Sequence, residues 1–353
     1  MKKFVNFSFC AVFVLAACLL VTGCKAPSGG SSGGSSGGGS ATTHDIVTFG
    51  SFPQSLKAAD VNVDEAVSKT SGTYTYYKGS DDEWYAKVDS KYYKVEPIKW
   101  RVLTTNYDHD GNASTPGKKL LLAESILINC MYYDYDDVNR TICAATIYPN
   151  NYENSRIRAY LNGLSYQKKA NDSATQVADS TLAGKGFLQT AFTQEEQNEI
   201  ATTTVINNAR STKPDGDFDA FLWFRDVNQW ASDTPTSDKI FLLSLQEVTK
   251  AEYGFAAYNE YKGDGTHDDS TRIRMTTAFA KESGADQNTT EGYGGCWWLR
   301  SPSNDGADSF AALMVGEPGG GGVWIDCDGD GWENDGFQVD YAEAGVVPAL
   351  CLN

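Results

Sequence analysis

The chain has 353 residues, enough to bury a sizeable core in two average domains or one decorated one. Its formal charge of −17, from 46 acidic against 29 basic residues, leaves no positive field for a phosphate backbone and excludes nucleic acid as a partner. Aromatics at 12% of residues exclude wholesale disorder, and 34 glycines beside 19 tyrosines and 8 tryptophans suit short strands joined by tight turns.

Residues 1–23 read as an address. Lys2 and Lys3 form a basic start, and the run over residues 7–21 is almost wholly apolar, short of the roughly 20 residues of a membrane span. The segment Leu20-Val21-Thr22-Gly23-Cys24 resembles a bacterial lipobox. That resemblance implies that Cys24 is acylated, palmitate included, and becomes the new N-terminus, anchoring the protein to the outer membrane at the cell surface. Loss of Lys2 and Lys3 would take the charge from −17 to −19. Residues 28–40 are all Gly or Ser, so residues 24–43 are expected to be a lipidated tether. The Gly/Ser run over residues 28–40 alone has a root-mean-square reach of roughly 20 Å and a contour of about 45 Å, enough to lift a domain off a headgroup layer.

Beyond the tether the pattern turns β-rich. Residues 73–77, 84–88, 92–95 and 98–103 are short β-branched or aromatic runs, separated by Gly79-Ser80-Asp81-Asp82, by Asp89-Ser90 and by Pro97, which predicts a meander. Residues 120–123 add a buried strand. Asn154 or Ser155 opens a helix that carries Ile157, Tyr160 and Leu161 and stops at Asn162-Gly163. Thr193 with Glu196 and Ser244 with Glu247 are capping boxes for two more helices, the latter ending near Gly254, and a fourth is expected over residues 275–281. With no repeat and no second linker, residues 44–353 read as one α+β domain.

The C-terminal stretch differs in kind. After Arg300 there is no Lys, Arg or His in 53 residues but ten carboxylates, and residues 292–345 hold 13 glycines, which predicts turns and short hairpins. Alternation over residues 323–328 puts Trp324, Asp326 and Asp328 on one face and Val323, Ile325 and Cys327 on the other. Trp297 and Trp298, beside Leu299, read as core pillars, and Arg300 reads as the partner of a buried carboxylate or carbonyl.

Six motifs follow one another in the chain: Ile98-Lys99-Trp100-Arg101-Val102-Leu103, Leu120-Leu121-Leu122-Ala123-Glu124, Asn154-Ser155-Arg156-Ile157-Arg158-Ala159-Tyr160-Leu161-Asn162, Asp238-Lys239-Ile240-Phe241-Leu242-Leu243-Ser244, Trp297-Trp298-Leu299-Arg300-Ser301-Pro302 and Gly345-Val346-Val347-Pro348-Ala349-Leu350. The series resembles bacterial domains with a C-type-lectin fold of the formylglycine-generating-enzyme type, over roughly residues 90–353. With the lipobox it is similar to the treponemal variable lipoproteins that are targets of a diversity-generating retroelement. The resemblance implies that residues 297–353 are a variable region rewritten by adenine-directed mutagenesis. The implied ligand-binding face comprises Asn304, Asp305, Asp308, Trp324, Asp326, Asp328, Trp332, Glu333, Asn334, Asp335, Phe337, Gln338, Asp340 and Tyr341. Most of these are expected to be exposed, because a surface that accepts many residues must rest on a scaffold independent of them. Trp and Tyr give rigid contact area and Asp and Asn adaptable hydrogen bonds, as in antibody paratopes.

Two rival classes stay open. Asp326, Asp328 and Asp330 match the first half of a calcium loop, but its twelfth position is Phe337, so an EF-hand fails and a calcium-dependent glycan-binding lectin or adhesin needs another oxygen cage. The second rival is an oxidative enzyme of the formylglycine-generating type, although no two of Cys296, Cys327 and Cys351 match that enzyme's active pair. His109 and His267 lie in polar loops, His44 ends the tether, and no catalytic residue is assigned. The five cysteines of the mature chain allow Cys130 with Cys143, and Cys296 with Cys351 as a clamp, leaving Cys327 free. The sequence thus reads as a monomeric, non-enzymatic surface lipoprotein that binds a protein or glycan ligand.

Overall fold

The computed structural model describes residues 44–112, 114–134, 140–142, 145–147, 150–170, 173–207, 234–255, 270–287, 294–305, 309–316, 324–325 and 337–353. The chain divides into two units, Met1–Ser40 and Ala41–Asn353. The leader, Cys24 and the tether lie outside the described residues. The second unit is α+β, with short helices and mostly antiparallel strands.

The N-terminal meander runs through β1 (Ile46–Leu56), β2 (Val63–Ser71), β3 (Tyr74–Gly79), β4 (Trp84–Val88), β5 (Lys91–Tyr107) and β6 (Lys118–Ala123). Only β4 has the bounds expected from its residue pattern. The runs on either side of Pro97 are one 17-residue strand, β5, a correction with a simple cause. β4 pairs with β5 up to Lys94 and β6 pairs with it from Trp100, while β1 lies along the opposite edge from Tyr93 to Arg101. Pro97 therefore falls where one edge has no partner strand, and its missing N–H costs no ladder bond there. The β1 edge adapts by a register shift between Thr48 and Ser51. Gly50 in that shift has φ +66, and a Cβ there would sit 2.5 Å from the Phe192 ring.

The remaining strands are brief. They are β7 (Ser125–Ile126), β8 (Ile128–Asn129), the hairpins β9 (Arg140–Ile142) with β10 (Ala145–Ile147) and β11 (Tyr166–Ala170) with β12 (Ser173–Asp179), then β13 (Thr203–Val205), β14 (Thr236–Asp238), β15 (Ile240–Phe241) and β16 (Met275–Thr276). After them come β17 (Trp297–Asp305), β18 (Ser309–Gly316), β19 (Trp324–Ile325), β20 (Phe337–Gln338), β21 (Gly345–Val346) and β22 (Ala349–Leu352). The closing strand β22 enters the first sheet between β15 and β6, completing the order β15-β22-β6-β5-β4-β3-β2 with β1 on β5. A second sheet runs β19-β18-β17-β21-β8, with β20 also on β18.

Local chemistry sets the helix ends. Ser155 caps α1 (Arg156–Asn162), its side chain accepting from Arg158 N, and Gly163 ends it in the left-handed region at φ 67. α2 (Phe187–Ala191) has no side-chain cap on Gly186, so it leaves no start signal in the sequence and forms because Phe187 and Leu188 are buried. Both capping boxes form, on α3 (Gln194–Glu199) and α4 (Leu245–Val248), and a short 3-10 turn follows α4 up to Gly254. The helix expected over residues 275–281 is shorter: Met275–Thr276 is β16, paired in parallel with β7, and α5 (Ala278–Glu282) begins only after its cap, Thr277.

One continuous core joins both sheets. Trp100, Trp297, Trp298, Tyr132, Phe187 and Phe241 are each fully buried in it. The cysteine clamp is not made. Cys351 in β22 keeps a free thiol, pushed up to about 12 by burial, and Cys130 keeps one pushed up to about 11 for the same reason. Cys143 and Cys327 lie outside the described residues.

Candidate functional site

The C-terminal sheet is built outward from a rigid root. Trp297 and Trp298 are fully buried, as expected of pillars, and each satisfies its indole N–H on a carbonyl: Trp297 on Arg272 at 3.3 Å, Trp298 on Cys130 at 3.0 Å. The Tyr132 ring meets Trp298 edge-on at 5.6 Å. Arg300 comes next, and it is buried too.

Its guanidinium donates to the carbonyls of Ile206 and Leu242, both at 2.7 Å, and pairs with Glu247. Arg300 therefore serves structure, holding both a carboxylate and carbonyls. The same Glu247 oxygen accepts from Ser244 N at 2.7 Å and from the Ser244 hydroxyl at 3.0 Å, while the other accepts from Tyr107 Oη at 2.6 Å. One carboxylate thus caps α4, neutralises Arg300 and ties both to the end of β5. Burial alone would raise its proton affinity, but the Arg300 charge and these bonds outweigh burial and hold the carboxyl below its ordinary range. Ser301 completes the lock, its hydroxyl accepting from Leu245 N at 2.9 Å. The capping pattern Ser244-x-x-Glu247 was legible in the sequence, but the second role of Glu247 was not.

From Pro302 onward the strand runs into the acidic, glycine-rich stretch. Ser303, Asn304 and Asp305 pair with Ala311, Phe310 and Ser309 of β18. On the far edge of β18, β20 takes Ala311 and Ala312, and β19 takes Val315 and Gly316. One sheet therefore gathers the backbones of Asn304, Asp305, Trp324, Phe337 and Gln338. Ala311, opposite Gln338, and Gly316, opposite Trp324, are five residues apart, roughly 17 Å along β18.

Asp340 and Tyr341 follow β20. Contrary to the expectation of a free surface position, Tyr341 is half-buried and packs against the core, its hydroxyl donating to Glu343 at 3.2 Å, because the buried Val339 two residues earlier draws the turn inward. Asp308, Asp326, Asp328, Asp330, Trp332, Glu333, Asn334 and Asp335 lie outside the described residues, and with them the calcium candidate. Among the described residues, no group of three or more His, Cys, Asp or Glu side chains is placed to hold a metal ion. His109 lends its carbonyl to Thr204 N in a loop, and His267 lies outside the described residues.

The sequence of a domain of unknown function, DUF6273, matches this chain by its family model over residues 116–353. The chain belongs to the DUF6273 family. No curated protein and no solved structure matches it. The DUF6273 match begins just before β6 and includes the Ser244/Glu247 box, the Trp297 to Pro302 root and the closing strand β22. The first five strands of the N-terminal meander, β1 to β5, precede it.

Proposed function

We propose that this protein is a lipid-anchored surface receptor with a C-type-lectin fold of the formylglycine-generating-enzyme type, binding a protein or glycan through a variable C-terminal face. The observation that carries the reading is where the rigid root stops. Residues 297–301 are buried and bonded to α4 and to the carbonyls of Arg272, Cys130, Ile206 and Leu242, and the lysine-free, arginine-free acidic stretch begins directly after them. Such a root supports a face whose residues can change without loss of the fold. The aromatic and carboxylate composition of that face suits contact by stacking and hydrogen bonding, and its charge disfavours anionic ligands.

Sequencing the gene across clonal isolates tests the diversification. Differences are expected to cluster at adenine-templated codons after Pro302; a segment as constant as the rest of the domain overturns the proposal. Replacing Trp324 and Trp332 together by Ala is expected to shift stability by no more than about 1 kcal/mol, the range of surface substitutions, in a chemical denaturation series. Unfolding of that double variant would assign the two rings to the core. For the anchor, Cys24→Ser is expected to move the protein from the detergent phase to the aqueous phase, since each buried methylene of an acyl chain contributes about 0.8 kcal/mol to membrane binding. Unchanged partitioning would remove the lipid anchor from the proposal.

A further inference from the structure

A cleft of about 530 Å³ opens beside the stretch of β5 that lacks a partner strand on one edge. β4 stops pairing at Lys94 and β6 starts at Trp100; after β6, Glu124 N donates to Lys99 O at 3.0 Å and Ser125 turns away into β7. A side chain satisfies backbone there. Gln54, the extra residue of β1 at the register shift between Pro53 and Ser55, donates its amide Nε2 to the carbonyls of Glu96 and Pro97 at 3.0 and 3.2 Å.

These bonds fix what the cleft presents. With its N–H groups on carbonyls, the Gln54 amide keeps its oxygen as an acceptor. One carboxylate oxygen of Glu96 accepts from Ser55 N at 3.0 Å and from the Ser55 hydroxyl at 2.7 Å, and the other has no bond among the described residues. Thr277 caps α5 by accepting from Ala280 N at 3.1 Å and keeps its own hydroxyl proton to donate. The hydroxyls of Thr48 and Ser125 have no bond, and Lys99 no ion pair, among the described residues. Glu96 and Lys99 are the charged groups of the lining and are opposite in sign, while the buried Ile98 and Leu127 give the cleft an aliphatic base.

Such a lining suits a ligand whose hydroxyls both donate and accept and whose C–H faces pack on aliphatic carbon. We propose that the cleft binds a neutral mono- or disaccharide, with sugar hydroxyls on Glu96 and Gln54 and a ring face against Ile98 and Leu127. A net anion or cation would meet a like charge beside the opposite one. Ser55 already holds the carboxylate in place and the two carbonyls hold the amide, so little side-chain freedom is lost on binding. None of these residues belongs to the C-terminal face, so this inference stands or falls apart from the proposed receptor function.

Calorimetric titration of the full-length protein with methyl α-D-glucoside, methyl β-D-galactoside and maltose tests it, with inorganic phosphate and L-alanine as charged comparisons. At least one sugar is expected to bind. Glu96→Ala is expected to weaken that binding by roughly tenfold or more, the loss of hydrogen bonds to a charged group, with little change in melting point, since water can replace the carboxylate at the exposed Ser55. Thr48→Trp, at an exposed position of β1, fills the cleft and should abolish binding. Replacing Trp324 and Trp332 together by Ala should leave it intact, which separates this cleft from the C-terminal face. Absence of heat from every sugar at millimolar concentration overturns the proposal, as does sugar binding that survives Glu96→Ala or Thr48→Trp, its loss in the Trp324 and Trp332 double variant, or binding of phosphate or alanine in place of the sugars.

Discussion

Arg300→Met is expected to lower stability by about 3–5 kcal/mol, because it leaves the Glu247 carboxylate buried without its cation. Each side chain of the pair is only 5% exposed, so water cannot take over the missing charge. The pH dependence should change sign as well. In the unmodified protein the Glu247 carboxyl is held below its unfolded value, so its contribution is present above that value and is lost as pH falls through the folded one. In Arg300→Met burial is left without the opposing charge, and the carboxyl is pushed above its unfolded value. The variant should then be relatively most stable in acid and lose stability as pH rises. Urea denaturation of both proteins between about pH 4 and pH 8 reads this difference directly. Adding Glu247→Gln should restore part of the loss, since an amide needs no counter-ion. A single variant as stable as the parent at every pH would show that the pair contributes nothing net.

Trp298→Ala should cost about 3–5 kcal/mol and lower the melting point by roughly 6–20 °C. The indole is wholly buried, its N–H is satisfied only through the Cys130 carbonyl, and Tyr132 leans on its face, so removal leaves a cavity and an unpaired acceptor together. Trp298→Phe should lose less, keeping most of the apolar volume and forfeiting the hydrogen bond. Calorimetry that finds the Ala variant as stable as the parent would reopen Trp298 as a surface contact.

Local pattern alone determined a good deal of this protein. The caps at Ser155, Thr193 and Ser244 depend on side-chain to backbone bonds within a few residues, the stop at Gly163 on its own left-handed backbone, and the strand over residues 84–88 on its run of strand-forming residues, so all are written in consecutive positions. The burial of Trp297 and Trp298 followed from their size and apolar neighbours, and that of Arg300 from the lack of any basic residue after it.

Only the tertiary structure decided the rest. Pro97 reads as a strand break until β4 and β6 are seen to take successive parts of one edge, leaving a gap opposite the ring nitrogen. α2 has no cap to announce it, and Met275–Thr276 is drawn into a strand by β7, 150 positions earlier. Glu247 could be read as a helix cap but not as the counter-ion of Arg300, 53 residues away, nor as the acceptor for Tyr107, 140 residues away. In the same way nothing in the order of residues shows that Arg158 is neutralised by Asp238, 80 residues away. Charges act through space, and which of them meet is settled by how distant segments pack.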